Sequence, residues 1–119
     1  MKIKLNELAR NVSGIYKIDY PNGKSYIGLS RDIKRRMTEH NSFNKAKMPC
    51  DLAIKYYGKI EEIEILEYCD DETLLEEKER YWIKYYDTIN PEKGYNLTEG
   101  GDESGRSNED SYRAVFTNA

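Results

Sequence analysis

The sequence predicts an α+β domain, a small sheet of three strands with helices packed beside it, and three observations carry that prediction. Two β-forming runs, Gly14 to Tyr20 and Lys24 to Leu29, flank the turn-forming Pro21-Asn22-Gly23. Residues up to His40 then repeat apolar side chains at helical spacing. A third β-forming run, Ile60 to Tyr68, precedes a long helical stretch that ends at Tyr86. At 119 residues the chain is large enough for one core and too small for two. Hydrophobic residues make up 38% and charged residues 34%, so burial can offset the entropy of ordering and the chain is not a disordered tail.

The first pair of strands reads as a hairpin. A three-residue hairpin loop is a type I turn followed by a residue in the left-handed region, and Pro21, Asn22 and Gly23 suit those positions in order. Tyr20 then pairs with Lys24, Tyr16 lies opposite Gly28, and Ile18 lies opposite Tyr26. Tyr16 and Tyr26 therefore share one face. A two-residue Asn22-Gly23 turn would separate them. Ser30 or Arg31 opens the next element, an amphipathic helix with Ile33, Arg36, Met37 and His40 at i, i+3, i+4 and i+7, ended by Asn41 and Ser42. Asp51 to Tyr57 makes a short helix stopped by Gly58, and Ile60 to Tyr68 supplies the third strand. Asp70 or Asp71 caps the longer helix through Tyr86, with acids in its first turns where the helix dipole favours them. From Leu97 the apolar content falls, and residues 100–105 read as a linker.

Composition narrows the function. No stretch approaches the roughly 20 apolar residues that cross a bilayer, and Met1 to Leu5 lacks a signal-peptide run, so a cytoplasmic protein is expected. Cys50 and Cys69 are too few and too far apart for a zinc cluster. The net charge of −3 argues against binding nucleic acid by bulk charge. The charge is uneven, however. Arg31, Lys34, Arg35, Arg36, Lys45 and Lys47 crowd one segment, whereas Glu61 to Arg80 is strongly acidic and reads mostly as a solvated surface.

Several residues stand out against their surroundings. Most of the eleven tyrosines suit a wet core, and for Tyr16 and Tyr26, sharing one face with Gly28, pattern alone favours a tyrosine-lined core over a site. Arg36 and His40 lie on or beside the apolar stripe of their helix. Glu79 interrupts the stripe Leu75, Trp82 and Tyr86, with Ile83 beside it, and a carboxylate withdrawn from water is an ion-pair partner, a protonated acid or a metal ligand.

In order along the chain, Gly14-Ile15-Tyr16, Tyr26-Ile27-Gly28, Asp32 to Arg36 with His40, Glu79 to Ile83, and Gly94-Tyr95-Asn96 resemble the motifs of the GIY-YIG nuclease family. Either triplet alone is weak evidence; all of these motifs in order over residues 13–96 are specific. The resemblance implies a three-stranded antiparallel sheet flanked by helices and a Mg²⁺-dependent endonuclease that hydrolyses DNA phosphodiester bonds, with Mn²⁺ as the alternative ion. Residues 1–97 would form the catalytic domain and 98–119 a linker and tail, the start of a DNA-binding region. That layout resembles phage or mobile-intron homing endonucleases. A repair or structure-selective nuclease is the second reading, and a non-catalytic nucleic-acid-binding module is the reading from another class.

The resemblance also implies roles. Glu79 would be the sole protein ligand of the metal, consistent with the few carboxylates and several waters that Mg²⁺ keeps. Arg36 would hold a nonbridging phosphate oxygen with its planar, permanently charged fork. Tyr16 would orient or deprotonate the attacking water, Tyr26 and His40 would complete the hydrogen-bond network, and Asn96 would brace it. Gly14 and Gly28 would shape the motif, and Arg31, Lys34 and Arg35 would meet DNA phosphates. The base is left open: a phenol titrates near 10 and needs nearby positive charge, whereas histidine near 6.5 does not. DNA is the expected partner of a monomeric domain, with no membrane and no small-molecule cofactor.

Overall fold

A computed structural model describes residues 1–42 and 48–100 of the chain. The hairpin has the register that its turn dictates. β2 (Gly14–Asp19) pairs antiparallel with β3 (Ser25–Ser30), placing Tyr16 opposite Gly28 and Ile18 opposite Tyr26. Gly23 takes φ +88°, the left-handed position, while Tyr20 N–H donates to Lys24 O at 2.9 Å and Gly23 N–H to Tyr20 O at 3.0 Å.

The sheet has four strands and not three, in the order β1-β4-β2-β3, with all neighbours antiparallel. The additional strand, β1 (Lys2–Lys4), lies outside β4 (Glu62–Tyr68). It is held by cross-strand chemistry: Lys2 faces Glu64, Ile3 faces Ile63 and Lys4 faces Glu62, and the terminal amine donates to Ile65 O at 3.0 Å. The predicted start of the third strand also shifts. Ile60 lies outside it, fixed by the Asn41 side chain, which accepts from Ile60 N–H at 2.8 Å and donates to Ile60 O at 3.1 Å.

The helices begin where side chains or proline cap them. α1 is Ile33–His40, and its cap is Asp32, whose carboxylate accepts from Arg35 N–H; Ser30 and Arg31 precede it. α2 is Pro49–Tyr57, longer than predicted because Pro49 sits at its first turn, where a missing N–H costs nothing. Gly58 ends it at φ +110°. α3 is Glu72–Tyr86, capped by Asp71 through Thr73 N–H at 2.9 Å and closed by Asp87 in the left-handed region.

β2 is central and buried on both faces, so two cores form. On one face Tyr16, Ile18 and Tyr26 pack with Ile33 and Met37 of α1 and Ala53 and Ile54 of α2. On the other, Ile15 and Ile27 pack with Leu75 and Ile83 of α3. The centre of the α3 stripe is therefore Leu75 and Ile83, with Glu79 between them, while Trp82 and Tyr86 pack from its flank. Where β2 meets β4 the register slips between Ile15 and Tyr16, leaving Leu66 as the extra residue of a bulge. Gly14 lies beside that bulge, and a Cβ there would run into the backbone of Glu67 and Tyr68. Beyond α3 the chain returns along β3: Ser25 N–H donates to Lys93 O at 3.0 Å and Tyr95 N–H to Ser25 O at 2.9 Å. No described helix is long and apolar enough to cross a membrane.

Candidate active site

The site grows out of the hairpin register. Tyr16 and Tyr26 project from adjacent strands onto the face covered by α1, with ring centroids 6.4 Å apart at a tilt of 53°. Opposite Tyr16 stands Gly28, and the Tyr16 ring lies over it: a Cβ at position 28 would come within 2.5 Å of Tyr16 Cζ and collide with the hydroxyl. A glycine is needed here because a phenol occupies the space of a side chain. From α1, His40 meets both rings edge-on, each at 5.8 Å between centroids.

Hydrogen bonding ties these groups into one chain. Tyr16 Oη lies 2.8 Å from His40 Nε2, and His40 Nδ1 lies 2.6 Å from Asp51 Oδ1 on α2. His40 is 2% exposed and Tyr16 has no exposed surface. Burial pushes the Tyr16 phenol above its ordinary value, and the charge and hydrogen bonding of Arg36 pull it back only in part. Tyr26 is raised for the same first reason. Neither phenol alone is a ready base at neutral pH.

Arg36 lies at the mouth of this chain, with its side chain 39% exposed. Its guanidinium is 3.0 Å from Glu39 on the same helix. Burial disfavours its charge, but Tyr16, Tyr26 and Glu39 outweigh that and hold the guanidinium more firmly protonated than usual. Glu79, from the helix on the opposite face of the sheet, is half-buried, and its negative charge acts on both Tyr16 and Tyr26. The fold thus gathers Tyr16, Tyr26, Arg36, His40 and Glu79 from four elements.

Asn96 has a separate position. Its side-chain amide accepts from Ile27 N–H at 3.0 Å and donates to Ile27 O at 2.8 Å, gripping β3 between Tyr26 and Gly28. The other basic residues of α1 and its approach point elsewhere. Arg31 pairs with Glu72 at 2.8 Å, Lys34 donates to Leu8 O at 3.1 Å, and Arg35 reaches Glu39 at 3.4 Å. Lys45 and Lys47 lie outside the described residues, as does the tail from residue 101. Sequence reasoning took Asp51 only as the start of a helix and missed its contact with His40. The single signal available was an acid in a mostly apolar short helix.

A family model of the GIY-YIG catalytic domain matches residues 12–96. The chain belongs to the GIY-YIG family. Among solved structures, this GIY-YIG nuclease domain is similar to a substituted form of the catalytic domain of the intron endonuclease I-TevI, with 25% identity and a TM-score of 0.61, over 75% of this chain and 96% of that one. Curated protein sequences gave no match to the chain.

Among the described residues, two places in the GIY-YIG domain hold potential metal donors, of different character. Glu79 is a half-buried carboxylate whose charge is felt by both phenols, and a carboxylate oxygen is a hard donor of the kind that magnesium accepts. His40, Cys50 and Asp51 bring ligand-type atoms within 4.8 Å of one another. That second set is a poor fit to magnesium. It is nitrogen- and sulfur-containing, burial pushes the Cys50 thiol well above its ordinary value, and Asp51 is already hydrogen-bonded to His40.

Proposed function

We propose that this domain is a magnesium-dependent DNA endonuclease, the catalytic part of a homing-type enzyme, with residues 1–97 as the catalytic unit. One observation carries the reading: a buried Tyr16 hydroxyl held between His40 Nε2 at 2.8 Å and the Arg36 guanidinium, within the field of the Glu79 carboxylate. The homing-type assignment is supported by the likeness to the catalytic domain of an intron endonuclease.

Arg36 would leave Glu39 to hold a nonbridging oxygen of the scissile phosphate, where its fork offsets the charge that builds in the transition state. The Tyr16 hydroxyl has no exposed surface at rest, so this rearrangement would also have to admit water to it. Tyr16 orients the water for attack on phosphorus, and Tyr26 supports the phenol from the adjacent strand. Glu79 would hold the magnesium ion, which when bound stabilises negative charge on the leaving 3′ oxygen. Asn96 keeps β3, and with it Tyr26 and Gly28, in register with the phenol.

The test is a gel. The chain is incubated with supercoiled and linear DNA in Mg²⁺ or in EDTA, beside Glu79→Gln. Cleavage in Mg²⁺ alone, lost in Glu79→Gln with an unchanged melting curve, is the expected result. If Glu79 serves the fold instead, its replacement orphans a partner charge and lowers stability by about 3 to 5 kcal/mol. Binding without cleavage under all conditions would refute the enzymatic reading.

A further inference from the structure

We propose that Asp51 is the positioning residue of a proton relay, fixing His40 so that its Nε2 accepts the Tyr16 hydroxyl proton. The proposal rests on the nuclease reading and adds to it the element that lets a buried phenol act at neutral pH.

The direction of the relay follows from donor chemistry. An ionised carboxylate only accepts, so the 2.6 Å contact places a proton on His40 Nδ1. In a neutral imidazole Nε2 then carries a lone pair, and at 2.8 Å the Tyr16 O–H must donate to it. His40 cannot evade this arrangement. It is almost fully enclosed, edge-on to Tyr16 and Tyr26, with buried Cys50 preceding Asp51 on α2 and Arg36 one turn away on α1. Asp51 is the member that reaches solvent, its side chain 22% exposed, so its carboxylate is partly hydrated.

The relay conserves atoms and charge. As the attacking water's oxygen bonds to phosphorus, one of its protons passes to the Tyr16 oxygen, while the Tyr16 proton passes to Nε2. The phosphorus–O3′ bond breaks with its electron pair on O3′, which takes a proton from solvent. The imidazolium formed is next to the Asp51 carboxylate, which stabilises it until the proton returns through Tyr16. Tyr16 never has to exist as a free tyrosinate, the state that its burial opposes. A carboxylate behind a histidine performs the same orienting and stabilising task in hydrolytic triads.

His40 is the only histidine, so its imidazole nitrogens can be read without ambiguity in the ¹⁵N-labelled full chain. Long-range ¹H–¹⁵N correlation should show Nδ1 protonated and Nε2 bare at neutral pH, and Asp51→Asn should shift or mix the tautomers. In the plasmid assay Asp51→Asn should lower kcat on the order of 100-fold with KM nearly unchanged, and Asp51→Glu should restore part of the loss. Thermal melting monitors the fold of both variants. A wild-type Nε2–H tautomer, a permanent imidazolium, or an unimpaired kcat in folded Asp51→Asn would overturn the proposal. Failure of the wild-type chain to cut DNA would refute the nuclease reading instead, and the nitrogen spectrum would still decide the Asp51 geometry.

Discussion

Replacing Gly28 with alanine should slow cleavage about 100-fold while leaving a folded domain. The added methyl would come within 2.5 Å of Tyr16 Cζ, where carbon atoms normally rest at about 3.5 to 4.0 Å. β3 cannot yield easily, since it is paired with β2 on one side and gripped by Asn96 on the other. The phenol must therefore move by about 1 Å, which takes its oxygen beyond the roughly 3.2 Å limit of a hydrogen bond to His40. A misplacement of that size costs about 100-fold in rate. Overpacking should also lower stability by about 1 to 3 kcal/mol, or several degrees in Tm for a domain of this size. The assay is the initial rate of plasmid relaxation beside a thermal melt. Gly23→Ala is the control: it meets nothing within 4 Å and carries only the strain of its left-handed backbone, so it should lose stability and retain activity. Wild-type rate and Tm in Gly28→Ala would refute the close approach of phenol and strand.

Three further outcomes are expected. Arg36→Lys should lower the rate by orders of magnitude with a modest change in Tm, because an ammonium cannot reproduce the fork; Glu39→Gln, which frees the guanidinium at rest, should lower KM by up to about fivefold, the worth of a surface ion pair. The acid side of the stability curve should depend on Asp19: burial would raise its carboxyl, but Lys17 and Ser25, each at 2.7 Å, hold it below the usual range. Its folded pKa is the lower one, so the stabilisation is present above the unfolded value near 4 and is lost as pH falls through the folded value. Denaturant melts of Asp19→Asn should show a flatter profile there; an unchanged profile would remove Asp19 from the account.

What could be read in advance was what is decided locally. Pro21-Asn22-Gly23 selects the loop type, the loop selects the register, and the register alone brings Tyr16, Tyr26 and Gly28 together. The helical spacing of Ile33, Met37 and His40 likewise fixes which side of α1 faces the phenols. The misses involve partners distant in sequence. Three residues at the start of the chain are too short for an alternating pattern, and β1 exists because β4 offers them two glutamates and an isoleucine. Glu79 was singled out by the apolar stripe, yet the stripe drawn through Trp82 was offset from the true centre at Leu75 and Ile83. Asp51 was invisible as a site residue because its contact joins two separate helices, and no periodicity encodes that.

The pairing at the two margins of the sheet limits how the domain meets other molecules. On one margin β1 is three residues long and flanks its single isoleucine with lysines. On the other, Lys93, Tyr95 and Asn96 already occupy the backbone groups of Ser25 and Ile27. Recruitment by strand addition, which needs a free row of such groups, has little to build on at either side. A partner is left with side chains rather than strand edges to engage, and among the candidate site residues Arg36 is partly open to solvent and Glu79 half-buried. Recognition by this domain is therefore a matter of side-chain chemistry on a sheet whose hydrogen-bonding edges are already spoken for.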